Sequence, residues 1–271
     1  MTEPTWRASA DAATIYQDQV VPALMEEWAP RVVDAAEIRP GQHVLDVCCG
    51  TGVLARAAAT RTGRNGAVTG LDLSPRMLAI AARLSPTLQW REGSADSLPF
   101  PDESFDAVVS QFGLMFVPDR VLALREMMRV LKPGGRVAVA VWTSLSDTPA
   151  YEAEVTLVER LAGSAAADPL RSPFVLGDRA RMAELFLAAG IPDATIALHH
   201  GRGTFSSIRN MVELDLRVLL PMMDIALEEE LIAEILRQAE QELRPHVSID
   251  GDKVVFSSPA ILGTAVKPAR Q

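Results

Sequence analysis

Five short apolar runs alternate with helix-like stretches through residue 142, and this rhythm constrains the fold more than any other feature. The runs are "HVLDV" (43–47), "AVTGLD" (67–72), "LQWREG" (88–93), "FDAVVSQ" (105–111) and "RVAVAVW" (136–142). Between the first two, "GTGVLARAAATRTG" reads as a helix ending at Gly63. Ser74 and Pro75 supply an N-cap and a first-turn proline for "PRMLAIAARL", and Asp119 caps "RVLALREMMRVL". "KPGG" (132–135) reads as a turn. Strands that alternate with helices through short links form a parallel sheet covered on both faces, so the fold class is α/β.

After Trp142 the rhythm changes. A helix is expected over 150–163. Asp178 caps "RARMAELFLAAG", and "ATIALHH" (194–200) reads as a sixth strand. Residues 206–246 carry long helical patterns and are too long for an ordinary loop. They are expected to form a helical lid over one end of the sheet. "AILGTAV" (260–266) reads as a final strand, and an amphipathic helix is expected over about Ala10 to Ala36. The expected division is therefore an N-terminal helical segment (1–36), a nucleotide-binding core (37–205), a lid insertion (206–246) and a return to the core sheet (247–271).

Charge narrows the partners. The 26 Lys and Arg stand against 35 Asp and Glu, a net charge of -9, which repels polyphosphate and argues against a nucleic-acid footprint. No apolar stretch reaches membrane-spanning length, and "MTEPTWRASADAATIYQDQ" lacks a signal-peptide apolar core, so the cytoplasm is expected. Cys48 and Cys49 are adjacent, a spacing at which a disulfide would strain the peptide between them. His43, His199, His200 and His246 show no zinc-site spacing, so no metal is expected and the thiols read as small apolar fillers.

The stretch "LDVCCGTG" (45–52) carries the chemistry. Gly50 and Gly52 let the backbone turn sharply against a ligand at the carboxyl end of the first strand. "GTGVLA" also fits the loose dinucleotide pattern, which alone is weak. Asp46 decides the matter. A dinucleotide loop offers backbone N–H groups to a pyrophosphate, and a carboxylate beside that anion is unfavourable. A cationic ligand would welcome it, and S-adenosylmethionine has a sulfonium, an ammonium and no phosphate. Asp72 ends the second strand, 20 residues beyond Gly52, where an acid can accept from ribose hydroxyls. "GSADSLPF" (93–100) lies just past the third strand, where an adenine would rest.

With these motifs in order, the sequence resembles the class I S-adenosylmethionine-dependent methyltransferases, in particular the small-molecule group related to quinone biosynthesis. "VLDVCCGTG", "GLDLSPRML", "GSADSLPF", "SFDAVVSQFGLMFVPD" and "RVLKPGGRVAVAVW" carry the likeness, from about Tyr16 to Trp142. The resemblance implies a Rossmann-like seven-stranded sheet, mostly parallel with its last strand antiparallel. It implies that Asp46, Gly50 and Gly52 surround the methionine part of the cofactor. Asp72 would hold the ribose, with Leu73 and Met77 flanking the adenosine. Ser94 stands where the family usually has an acid, so the adenine amino group falls to Ser94 or Asp96, and Ala95 offers its N–H to the ring. Gln111 and Phe112 would border cofactor and acceptor, and Tyr16 would close over the methionine end.

Methyl transfer needs alignment and exclusion of water rather than a protein nucleophile. A hydroxyl acceptor would also need a base, and His199 or His200 is the candidate. Adjacent strand residues face opposite ways, so at most one of them points into a given pocket. Met211, Met222 and Met223 would give the lid an adaptable apolar face. The expected function is methyl transfer to a small, partly apolar metabolite, by a monomer or homodimer without nucleic-acid or membrane partners. The alternatives are a nicotinamide-dependent oxidoreductase and a non-catalytic S-adenosylmethionine-binding protein.

Overall fold

A computed structural model describes residues 12–269. Its strands are β1 (His43–Val47), β2 (Ala67–Asp72), β3 (Gln89–Glu92), β4 (Phe105–Gln111), β5 (Leu131–Trp142), β6 (Thr195–His199), β7 (Arg202–Phe205), β8 (Ser248–Asp250), β9 (Lys253–Ser257) and β10 (Ala260–Val266). Packing divides the chain into two units. The sheet unit takes Glu26–Ser144, Pro173–His200 and the chain from Pro259; the mixed unit takes the chain up to Met25, Leu145–Ser172 and Gly201–Ser258.

In the sheet unit, seven strands run in the order β3-β2-β1-β4-β5-β10-β6. β1 pairs parallel with β2 and β4, and β4 pairs parallel with β5. β10 is antiparallel to both β5 and β6. The central strands are buried on both faces, as helices on either side require: Val44, Leu45, Val108, Val109 and Val137 to Val141 have no exposed surface. β3 and β6 close the two edges and are largely exposed. The strand order reverses between β1 and β4, so the carboxyl ends of those strands frame the crevice in which such sheets bind ligands.

The local signals act as read. Gly63 caps the helix Val53–Thr62. The Ser74 hydroxyl accepts the Met77 N–H to start Pro75–Leu84, and Asp119 accepts the Leu122 N–H to start Arg120–Val130. Asp178 accepts the N–H groups of Ala180 and Arg181.

Three readings are corrected, and one helix that was not expected is added. "KPGG" is no free turn: β5 begins at Leu131, which pairs with Phe105, and the register shifts before Arg136 meets Ala107. The irregular stretch is held by the neighbouring chain, since Gly134 N–H donates to the Lys267 carbonyl and Lys267 N–H to the Gly135 carbonyl. The single N-terminal helix is instead a short turn of helix (Ala12–Ile15), a π-helical stretch containing Pro22 (Tyr16–Met25) and a separate helix (Ala29–Ala35). Proline lacks the N–H that a continuous helix would use. Residues 1–11 of that expected segment lie outside the described residues. A helix over Ser164–Arg171 follows Gly163, whose φ of 84° breaks it from Pro149–Ala162.

The third correction concerns the mixed unit. The expected helices of 206–246 are present, mainly as Ile208–Leu214 and Glu229–Glu242. They belong to a unit that also includes residues 145–172 and a three-stranded antiparallel sheet, β7-β9-β8. Much of 247–258, expected to lead back to the core, pairs there instead. Two buried acids face each other in this unit, Glu154 on Pro149–Ala162 and Asp215 at the start of a π-helical turn, with Tyr151 beside them.

Candidate active site

The site grows from the tips of β1, β2 and β4. β1 delivers Asp46 into the interior, 1 % exposed, and neither carboxylate oxygen has a hydrogen-bond partner among the described residues. Burial pushes its carboxyl well above the usual carboxylate range. The Ala55 N–H, close but outside hydrogen-bonding geometry, draws it down, Asp72 raises it further and Arg56 opposes that weakly. A buried charge is costly, so a proton or a cationic ligand beside this residue would be favourable.

The chain then turns through two glycines. Cys49 N–H donates to the Leu71 carbonyl, and Gly52 N–H to the Cys49 carbonyl. Gly50 has φ of 54°, and a side chain there would meet nothing within 4 Å, which leaves open space beside the backbone. Gly52 is different. Its φ is 85°, and an added Cβ would lie 2.4 Å from Cη2 of Trp90. The space that Gly52 gives up on that side is filled by an indole of β3, not left for a ligand. Thr51, between the glycines, is buried with its hydroxyl unpartnered. Sequence reasoning passed over it, although its place between the two glycines marks it.

Asp72 ends β2. Its Oδ2 accepts the Gly50 N–H at 2.7 Å and its Oδ1 the Ser74 N–H at 2.8 Å. Two carboxylate oxygens offer about four acceptor positions, so capacity for further donors remains. Burial raises its pKa, against the lowering effect of the Ser74, Gly50 and Leu73 N–H groups. Leu73 follows with 69 % exposure, a large apolar side chain at a strand tip, while Met77 is buried. Beyond β3, Gly93 N–H donates to the Asp72 carbonyl. The Ser94 hydroxyl donates to Asp96 Oδ1 at 2.5 Å, so these two candidates act as one polar group. Ala95 between them is buried.

At the end of β4, Phe112 takes φ of 55°, a strained value for a bulky residue. Its N–H donates to the Ala140 carbonyl, and its ring stacks on Trp142 at 3.5 Å and 7°. Trp28 meets both rings edge-on, at 5.8 and 6.0 Å. Sequence reading missed Trp28, which enters from far upstream. Cys48 also takes a positive φ, 59°, and a side chain on Gly113 would lie 2.3 Å from its Cβ, so the β1 and β4 loops fit against each other. Both thiols stay protonated: burial pushes Cys48 up to about 12 and raises Cys49. Among the described residues no group of three or more His, Cys, Asp or Glu side chains is arranged to hold a metal.

The histidine candidates stand apart. His199 is half-buried on β6, in register with Ala260 of β10. Two strands, β5 and β10, separate β6 from β4. Three strand spacings amount to about 14 Å, so neither imidazole is brought beside Gln111. His200 is exposed, and its carbonyl accepts from Arg31. Tyr16 belongs to the mixed unit, where it is half-buried.

Comparison with known proteins bears on this geometry. Residues 45–139 match the family model described as a methyltransferase domain. Over 125 residues the chain is 43 % identical to the 2-phytyl-1,4-naphtoquinone methyltransferase of Thermosynechococcus vestitus, covering 45 % of this chain and 56 % of that one. Over 127 residues it is 42 % identical to the demethylmenaquinone methyltransferase of Lysinibacillus sphaericus, covering 46 % and 54 %. The chain thus spans about half the length of the curated relatives it matches. The crystal structure of YcgJ from Bacillus subtilis shares the fold, with a TM-score of 0.60 and 21 % identity over 90 % of this chain and 99 % of that one.

The strand order and the match together define a Rossmann-like class I methyltransferase fold. Residues 45–139 match a methyltransferase domain and are similar in sequence to quinone-biosynthesis methyltransferases. The residues present fit that cofactor. An orphaned buried carboxylate at Asp46 suits a cationic amino acid end, the open face of Gly50 leaves it room, and Leu73 offers an uncovered apolar surface at the ribose acid. No helix among the described residues is long and apolar enough to cross a membrane.

Proposed function

We propose that this protein transfers a methyl group from S-adenosylmethionine to a small, partly apolar acceptor by in-line displacement. The observation that carries the reading is Asp46: a carboxylate buried at the switch point of the sheet, with no side-chain partner among the described residues, where a pyrophosphate would be repelled even though Arg56 is bonded to the Thr51 carbonyl nearby. The cofactor supplies a methyl group already activated on a sulfonium. The chain's part is to bind and orient. Asp46, Thr51 and the Gly50 backbone hold the methionine end, Asp72 the ribose, and Ser94 with Asp96 the adenine amino group. Gln111 and Phe112 border the methyl group, and Phe112 stacked on Trp142 keeps water from that side. Holding two reactants in line contributes about 7 to 11 kcal/mol toward the barrier.

The relatives' names place a naphthoquinone or menaquinone precursor in their own sites. We take a quinol-type ring with an apolar substituent as the first acceptor to test. The family match ends at residue 139, so the part of the chain that chooses the acceptor is sought outside it, with 206–246 the first segment to test by deletion. There Met222 is 43 % exposed, whereas Met211 belongs to the unit's own core.

The test is calorimetric titration with S-adenosylhomocysteine and with NAD, followed by transfer of labelled methyl from S-adenosylmethionine to a short-chain demethylmenaquinol. Binding of the sulfur nucleoside alone and label in the quinol are expected. Binding of NAD alone would overturn the reading, and cofactor binding without transfer to any extracted metabolite would reduce it to a non-catalytic one.

A further inference from the structure

The loop from Gly93 to Asp102 would present Ser94 and Asp96 to the base; its own side chains hold it only in part, through buried Ala95 and Leu98 and through Phe100 edge-on to Phe105 at 5.1 Å. Ser94 is bonded to Asp96 within the loop, and Asp102 is largely exposed. A further, polar restraint comes from the helix Arg120–Val130. Arg129 Nη2 donates to the Leu98 carbonyl at 3.0 Å, and Nη1 to the Phe100 carbonyl at 2.9 Å and Asp102 Oδ1 at 2.7 Å. Glu126 Oε2 accepts the Leu98 N–H at 2.9 Å. The same glutamate braces the arginine, with Nε on Oε1 at 2.7 Å and Nη2 on Oε2 at 2.8 Å.

One planar guanidinium therefore grips two loop carbonyls and a loop carboxylate while a carboxylate locks it in plane. This geometry needs Arg, because an ammonium cannot present donors in a fixed fork. The anchor is fixed at its far end as well. The Arg129 carbonyl accepts the Glu103 N–H at 3.1 Å and Lys267 Nζ at 3.2 Å.

We propose that Arg129 and Glu126 are positioning residues for nucleobase recognition, setting the Ser94–Asp96 group against the adenine amino group without touching the cofactor. The inference rests on the cofactor reading above. It separates two effects that a merely structural clamp would not: overall affinity and the choice of base. Adenine offers an amino donor at its six position, whereas hypoxanthine offers an oxygen that a carboxylate repels. A loop held at its proper height discriminates between them, and a loop released from its clamp does not.

The experiment is titration of wild type, Arg129→Lys and Glu126→Gln with S-adenosylhomocysteine and S-inosylhomocysteine, with thermal melts alongside. Arg129→Lys should weaken S-adenosylhomocysteine about tenfold and cut the preference for adenine about fivefold, the scale of one or two charge-assisted hydrogen bonds. Glu126→Gln keeps the shape and should move the preference in the same direction, which covers the case where the arginine variant fails to fold. An unchanged preference in a folded variant overturns the inference, whatever happens to the melting temperature. A wild type that binds neither nucleoside overturns the cofactor reading itself, a different outcome from wild-type binding with unaltered variants.

Discussion

The backbone N–H of Gly50 donates to Asp72 Oδ2 at 2.7 Å, so the acid that ends β2 also braces the turn that leaves β1. With Ser74 N–H on the other oxygen, one carboxylate joins two loops that are far apart in sequence.

Asp72→Asn should therefore damage both order and binding. The amide has one acceptor oxygen, so its NH2 must confront either Gly50 N–H or Ser74 N–H. We expect a stability loss of about 1 to 3 kcal/mol and at least about tenfold weaker S-adenosylhomocysteine binding. Denaturant melts and calorimetry check this. A variant with wild-type affinity would show that the acid serves neither loop nor ribose.

Asp46 should make binding pH-dependent. Burial raises its pKa in the free protein, and a cation placed beside it favours the charged form. Cofactor binding should then release protons, and affinity should rise with pH until the free carboxyl is itself ionised. Titrations in two buffers of different ionisation enthalpy measure the release. Asp46→Asn should abolish this pH dependence and lower affinity, and it should raise the stability of the free protein, because an uncompensated buried acid is gone. Equal proton release by the variant would refute the assignment.

Glu154 and Asp215 predict a second pH effect, one of stability. Burial pushes Asp215 from 3.8 to about 7 and raises Glu154, each acid acting on the other, with Tyr151 alongside. The folded state then binds more protons than the unfolded chain between those values, so stability falls as pH rises. For Asp215 the contribution is whole below about pH 4 and lost by about pH 7, and Glu154, also raised, carries the decline further. Glu154→Gln can still donate to Asp215 and should flatten the decline in melting temperature from pH 5 to 8. A slope equal to that of the wild type would contradict the shared proton.

Gly52→Ala tests the packing of the cofactor loop. The new methyl would press on the Trp90 ring at a backbone angle that alanine avoids. A cost of about 2 to 4 kcal/mol is expected from overpacking and strain together. Trp90→Leu should recover part of it in the double variant, because contacting residues are non-additive. Strictly additive losses would place the strain elsewhere.

Much of this was legible beforehand, for definite reasons. The order of β1 to β5 follows from apolar runs whose helices carry their own caps at Ser74, Asp119 and Asp178, all local signals. The places of Asp46 and Asp72 at the tips of β1 and β2 were legible because each closes an apolar run that reads as a strand. Relations across long stretches of sequence were not. Nothing near Trp28 announces Phe112 and Trp142, and nothing in "QWRE" says that its indole occupies the space Gly52 vacates. The division into two units also escaped reading, because the mixed unit is assembled from three separated segments with no composition of its own.

β10 lies between β5 and β6, and β6 joins the sheet through β10 alone. The ribosome releases His199 well before Ala260, so β6 has no hydrogen-bonding partner in the sheet while the whole of 201–259 is being made. During synthesis an unpaired strand is thus exposed for several seconds at roughly 5 to 20 residues per second, a window for chaperone capture or mispairing that opens on every nascent chain.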